Sequence, residues 1–276
     1  MNHLHPTMRT DDKVRIANTV YKPLFQKAEV YLNWQLKKIV KRARFPFYFC
    51  REIEYEDYGK WIVFLCIPEK PSYKRGYHIM CSCFQPYIID YAKNPDNNGL
   101  GLYMIQGGET FEDIRIDEFA PHLINRMIQR ADESLVDLTV AKLCLHIFKT
   151  VRTTLFSVKE VTHDVRGEEM NEFVQSIPGG QILGLINEDS SYRCLKTFIS
   201  EHEMKDSQFA HNEILRQISL IKDDRPKTFD LDVPVILNQL EKIYGTATFN
   251  DAITLLKGTD KSVRESENIK RLAAGT

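Results

Sequence analysis

The chain changes period at Phe45, and that change limits what it can fold into. From Lys13 to about Arg44, apolar residues recur at helical spacing: Ala17, Val20, Tyr21, Leu24, Phe25, Ala28, Tyr31, Leu32, Ile39 and Val40. Such spacing lines one face of a helix, and Pro23 is a place where the run kinks or divides. From Phe47 the side chains alternate instead, through Phe49, Arg51, Ile53 and Tyr55, which is the period of a strand. Asp57-Tyr58-Gly59-Lys60 then predicts a turn and Trp61–Ile67 a return strand, together a hairpin.

Strand-like runs continue. Tyr77–Tyr91 is interrupted near Pro86, and Asn94–Gly99 is a turn cluster. Leu100–Gln106 reads as a strand, and so does Thr110–Phe119, which leads into a helix opened by Pro121. A second helix is predicted over Glu133–Val151, a strand over Phe156–Thr162 and a short helix over Glu168–Gln175. Ile182–Ile186 and Tyr192–Ile199 flank a polar loop and read as another hairpin. Glu201–Lys222 is predicted to be mostly helical, Val233–Tyr244 and Thr248–Leu256 to be short helices, and the charged end to be frayed.

The expected class is therefore α+β: a mainly antiparallel sheet packed with helices, a basic N-terminal helix and a helical C-terminal extension. The expected divisions are 1–44 as the basic helical segment, 45–206 as the core domain, 207–257 as the C-terminal helices and 258–276 as the tail.

A net charge of −1 gives no global case for a polyanionic partner. The distribution is uneven, because up to Cys50 ten Lys and Arg face three Asp and Glu. Lys37, Lys38, Lys41, Arg42 and Arg44 crowd the end of the first helix, where cations also suit the helix dipole. They are candidate nucleic-acid contacts, and Tyr21, Tyr31 and Trp34 are candidate anchors for a partner; packing on the sheet is the plainer role for these aromatics. The start lacks the pattern of a secretion signal and no apolar run approaches membrane-spanning length. The expectation is a cytoplasmic protein away from membranes. Oligomeric state is not legible.

The six cysteines are scattered, and Cys81 and Cys83 share one face of a predicted strand without a second pair at zinc-site spacing. Met104 stands where a dinucleotide fingerprint after Gly99 and Gly101 needs its third glycine. No metal or cofactor is expected. His146, His163 and His211 lie too far from His122 in sequence to form a local ligand set, and His163-Asp164 is a general-base pair only on paper.

Chemistry collects most densely after Pro121. His122, Arg126 and Arg130 recur every four residues, placing an imidazole and two guanidiniums on one helical face. Imidazole as a class moves protons near neutral pH, and arginine clamps phosphate oxygens. Lys196 and Thr197 on the later strand add a cation and a hydroxyl. Tyr192 and Arg193 beside them are candidates to stack on or hydrogen-bond a base. The plain alternative is an ordinary surface helix whose arginines meet Asp117, Glu118, Asp132 or Glu133 in exposed pairs.

The His-x-x-x-Arg-x-x-x-Arg helix, followed by Lys196-Thr197-Phe198-Ile199 as a closing strand, resembles small toxin-type ribonucleases of the barnase, colicin and RelE-like group. It also resembles uncharacterised mobile-element proteins, which imply no activity. The resemblance spans roughly Thr110 to Ser200, with an additional helix and strand between its two parts. It implies RNA as substrate, cleavage without a metal, and an inhibitory or partner protein. The alternative is a non-catalytic binding or adaptor protein, so whether the chain is an enzyme stays open at this level.

Overall fold

A computed structural model of the protein describes residues 3–39, 43–70, 78–89, 99–107, 114–130, 139–151, 156–164, 166–177, 179–204 and 212, with backbone alone at 36–39, 130 and 156–161. Among them are nine strands, mostly antiparallel, and three α-helices, so the class is α+β. The chain divides into two compact units, residues 1–149 with 186–196 and residues 150–185 with 197–276. The first helix belongs to the same unit as the strands that follow it.

In the first unit, helix α1 spans Thr10–Ile39 and Pro23 does not end it. Ala17, Val20, Tyr21, Leu24, Ala28 and Leu32 of the predicted stripe are buried, with Ile16 beside them, whereas Phe25 is half-buried and Tyr31 exposed. Asp11 and Asp12 occupy its first turn, where the helix dipole favours negative charge. Strands β1 (Phe47–Tyr55), β2 (Gly59–Ile67), β3 (Met80–Ile89), β4 (Gly99–Gly107) and β5 (Arg115–Phe119) follow as antiparallel neighbours. Beside β5 the early part of β9 (Tyr192–Ser200) runs parallel, pairing Ile116 with Tyr192 and Phe119 with Leu195.

Both faces of this sheet are covered. Residues in register across it, Gln85, Tyr103, Glu118 and Cys194, share the α1 face. Phe84, Met104, Asp117 and Arg193 share the other. There helix α3 (Val140–Thr150) brings Phe148 against Phe64, with ring centroids 6.0 Å apart. Double coverage explains why Trp61–Ile67 is a continuous apolar run rather than an alternating one. Pro86 lies inside β3 beyond Phe84, where the β2 ladder has ended and only β4 remains as a partner. A missing N–H is tolerated at such a position.

Helix α2 (Pro121–Arg130) opens directly after β5 with Pro121 in its first turn, as read from the sequence. Helix α3 begins later than expected, at Val140, and residues 131–138 lie outside the described ones.

The second unit contains β6 (Phe156–His163), β7 (Glu169–Ile177), nearly all of β8 (Gly180–Ile186) and the end of β9, in the order β9-β8-β7-β6. The short helix expected over Glu168–Gln175 is strand β7 instead. Met170, Phe173 and Val174 satisfy helical spacing, but the segment pairs antiparallel with β6 and tertiary pairing overrides the local period. Asp164 closes the β6–β7 turn: its carboxylate accepts the backbone N–H of Arg166 at 2.8 Å and of Glu168 at 2.9 Å. After β9 a single 3-10 turn covers Glu201–Glu203. The rest of the helix expected there, the later short helices and the charged tail lie outside the described residues, as does the turn cluster before Gly99.

Candidate functional site

Strand β5 carries two adjacent carboxylates that point to opposite faces of the sheet, and each is buried in an ion pair. On the α1 face, Lys13 Nζ donates to Glu118 Oε2 at 2.6 Å and to Tyr192 Oη at 3.1 Å. Tyr192 also donates to Glu118 Oε2, at 2.6 Å. The ammonium group lies 4.9 Å from the Tyr192 ring centroid and 5.5 Å from that of Tyr103, a cation–π arrangement. Burial, then Cys194 and Glu118, pushes the Tyr192 hydroxyl well above its ordinary range and keeps it a donor.

On the opposite face Arg193 grips Asp117 with two parallel bonds, Nε to Oδ1 at 2.7 Å and Nη2 to Oδ2 at 2.7 Å. Gln106 donates to the same carboxylate at 2.8 Å, and Arg115 Nε stands 3.3 Å from Oδ1. Burial alone raises the Asp117 carboxyl, but Arg115 and Arg193 outweigh it and hold the group below the usual range. Burial conversely lowers Arg115, to about 10. A bidentate guanidinium–carboxylate pair is among the strongest charge-assisted contacts.

These pairs correct three expectations. Asp117 and Glu118 do not stand in exposed pairs, because both are buried and Arg193 and Lys13 occupy them in the interior. Tyr192 and Arg193 do not face a base: both are buried, and their polar atoms are bonded to Glu118 and Asp117. Tyr21 is not a surface anchor, since its ring is buried and its hydroxyl donates to Gly107 O at 3.0 Å.

The sequence does contain a signal for the buried pairs. Lys13 falls on the apolar stripe of α1, and Asp117, Glu118 and Arg193 interrupt apolar strand runs. A charge at a buried register position needs an opposite one.

The α2 residues are arranged differently. Leu123, Ile124 and Met127 are buried, while His122 and Arg126, one turn apart, are half-buried. Arg130 ends the helix, and its side chain lies outside the described residues. The β5–β9 ladder continues to this point, because the Ala120 N–H donates to Leu195 O at 3.0 Å. The next residue on β9 is Lys196, which is exposed. Thr197 begins the part of β9 that belongs to the second unit.

Of the basic cluster, Arg44 is exposed, whereas the side chains of Lys37 and Lys38 and all of Lys41 and Arg42 lie outside the described residues. Trp34 and Tyr31 are exposed. Cys81 and Cys83 share a face as expected, with Sγ atoms 3.8 Å apart. Asp164 is engaged by its own turn, with its carboxylate also accepting Arg166 Nε at 2.6 Å. No helix among the described residues is long and apolar enough to cross a membrane. Compared with family profiles, with curated proteins and with solved structures, the chain finds no match.

Proposed function

We propose that the protein binds RNA and cleaves it without a metal ion, with His122 moving the proton and Arg126 and Lys196 holding the phosphate. The observation that carries this reading is the parallel β5–β9 ladder. It runs through Phe119 and Leu195 to the Ala120–Leu195 hydrogen bond, so Lys196 follows on β9 where α2 begins. In this reading the imidazole of His122 accepts the 2′-hydroxyl proton and the 2′-oxygen attacks phosphorus. The bond to the 5′-oxygen breaks, that oxygen takes a proton from water, and a 2′,3′-cyclic phosphate remains. Arg126 and Lys196 offset the charge that builds on the phosphate oxygens. Arg130 is a further candidate on the same helix, and the resemblance to toxin-type ribonucleases brings with it the expectation of an inhibitory partner.

The test is full-length protein with labelled single-stranded RNA in excess chelator. His122→Ala and Arg126→Ala are each expected to lower the cleavage rate by about 100-fold or more, in keeping with the usual worth of a general base or a charge-stabilising donor. Cleavage that persists unchanged in both variants removes the site. A second reading, a non-catalytic binding protein, is favoured by the exposure of Val30 and Trp34 on α1. It predicts binding without cleavage in the same assay.

A further inference from the structure

Helix α1 crosses its sheet and outruns it. Its start meets β5 and β9 through Lys13, and its middle meets the carbonyls of Cys81 on β3 and Gly107 on β4 through Tyr21. Further along, Lys27 lies over the Tyr55 ring at 4.8 Å and Arg51 over the Tyr31 ring at 4.1 Å, both on β1. A 30-residue helix is about 45 Å long, whereas six strands span about 24 Å from first to last. The excess projects past β1. That strand ends the strand order, and among the described residues its outer edge makes no backbone hydrogen bond to another strand.

Val30 and Tyr31 of α1 line the cleft beside this edge and Trp34 follows one turn on; they are 69%, 45% and 67% exposed. The cleft between helix and strand measures about 410 Å³ and is lined by Lys27, Val30, Tyr31, Arg51 and Ile53, with Glu52 and Glu54. Charged side chains on an edge strand discourage indiscriminate pairing. Here they are sorted by face. Arg51 lies on the α1 side of β1, and Glu52 and Glu54 alternate to the other.

We infer that this shelf binds an extended peptide of a partner protein, added to β1 as a further strand. The sorting of charge defines its chemistry. Side chains of the peptide that point toward α1 are apolar, to cover Val30 and Trp34, with a carboxylate to meet Arg51. Those that point the other way are basic, to meet Glu52 and Glu54. Backbone hydrogen bonds to the edge supply affinity, and the alternating side chains supply selectivity. The inference is independent of RNA cleavage.

The probe is a fluorescein-labelled nonapeptide, Lys-Leu-Lys-Leu-Lys-Glu-Lys-Leu-Lys, titrated into the full-length protein and followed by anisotropy and by a blue shift of Trp34 emission. Of the two Trp residues Trp61 is fully buried, so Trp34 carries the shift. N-methylation of one alternate set of peptide amides is expected to weaken binding at least tenfold, and of the other set hardly at all. Val30→Glu with Trp34→Glu is expected to weaken it at least tenfold with Tm unchanged. Glu52→Lys with Glu54→Lys is expected to reverse the preference toward the peptide with Glu in place of Lys.

Binding that ignores both methylation sets, or both α1 substitutions, overturns the proposal. So does failure to bind the peptide while an oligouridylate binds in a Trp34-dependent way, which assigns the surface to nucleic acid. Self-association lost in Trp34→Glu, without peptide binding, overturns it in favour of a second copy of this chain.

Discussion

At the scale of single residues, the two ion pairs on β5 are where substitution has its largest effect. Replacing Asp117 with Asn leaves Arg193 charged in the interior without its counter-ion. Breaking a buried pair from one side costs about 3–5 kcal/mol, whereas replacing both partners with apolar residues of similar size is often close to neutral. Asp117→Asn is therefore expected to lose about that amount in urea unfolding. Asp117→Leu with Arg193→Met is expected to recover part of it, because Arg115, 3.3 Å from the same carboxylate, keeps its charge. A double-variant stability no better than that of the single would show that Asp117 does not act through Arg193. These contacts are not legible locally, because Lys13 is 105 residues from Glu118 and Arg193 is 76 from Asp117. The sequence reveals a charge on a buried stripe; only the fold reveals which opposite charge meets it.

At the scale of elements, legibility follows from how local the cause is. The first hairpin shows in its alternation and its turn, and α2 shows in the proline that opens it. Strand β7 does not show, because Met170, Phe173 and Val174 suit a helix and only pairing with β6 decides otherwise. The candidate site divides in the same way. His122 and Arg126 are recognisable from spacing on one helix, whereas the approach of β9 to that helix depends on a parallel ladder between distant segments. Gly180 offers a test of element packing. A Cβ there would meet the backbone oxygen of Ile199 and the Phe198 ring. A backbone oxygen cannot swing aside as a side-chain tip can. Gly180→Ala is expected to destabilise by about 1–3 kcal/mol, the usual cost of overpacking, read as a lower urea midpoint. No loss would mean that β8 and β9 separate at that point without cost.

At the scale of the whole molecule, the paired carboxylates set an acid limit. Asp117 is held low by Arg115 and Arg193 against the opposing effect of its burial. Asp164 is held low by the Glu168 and Arg166 N–H groups and the Arg166 side chain, again against burial. A folded value below the unfolded one, about 3.9 for Asp, means stability that is present above that pH and lost as pH falls through the folded value. His146 is lowered by burial and then by Lys149. The unfolded chain therefore takes up that proton first, and stability begins to decline below about pH 6.5. Urea midpoints across this range are expected to fall gently at first and steeply below about pH 4. The steep arm is expected to be shallower in Asp164→Asn, and an unchanged arm would remove Asp164 from this account.

The first unit is also discontinuous in sequence, since residues 186–196 return to it after the segment 150–185. A ribosome makes the chain in one direction at about 5–20 residues per second. Asp117 and Glu118 are therefore made roughly 4–15 s before Tyr192 and Arg193 are added. Through that interval the nascent sheet has its central charges in place without their full set of partners. The strand that completes them is among the last parts of this unit to be made, so a ribosome stalled before residue 192 would hold out a chain unable to close its own core.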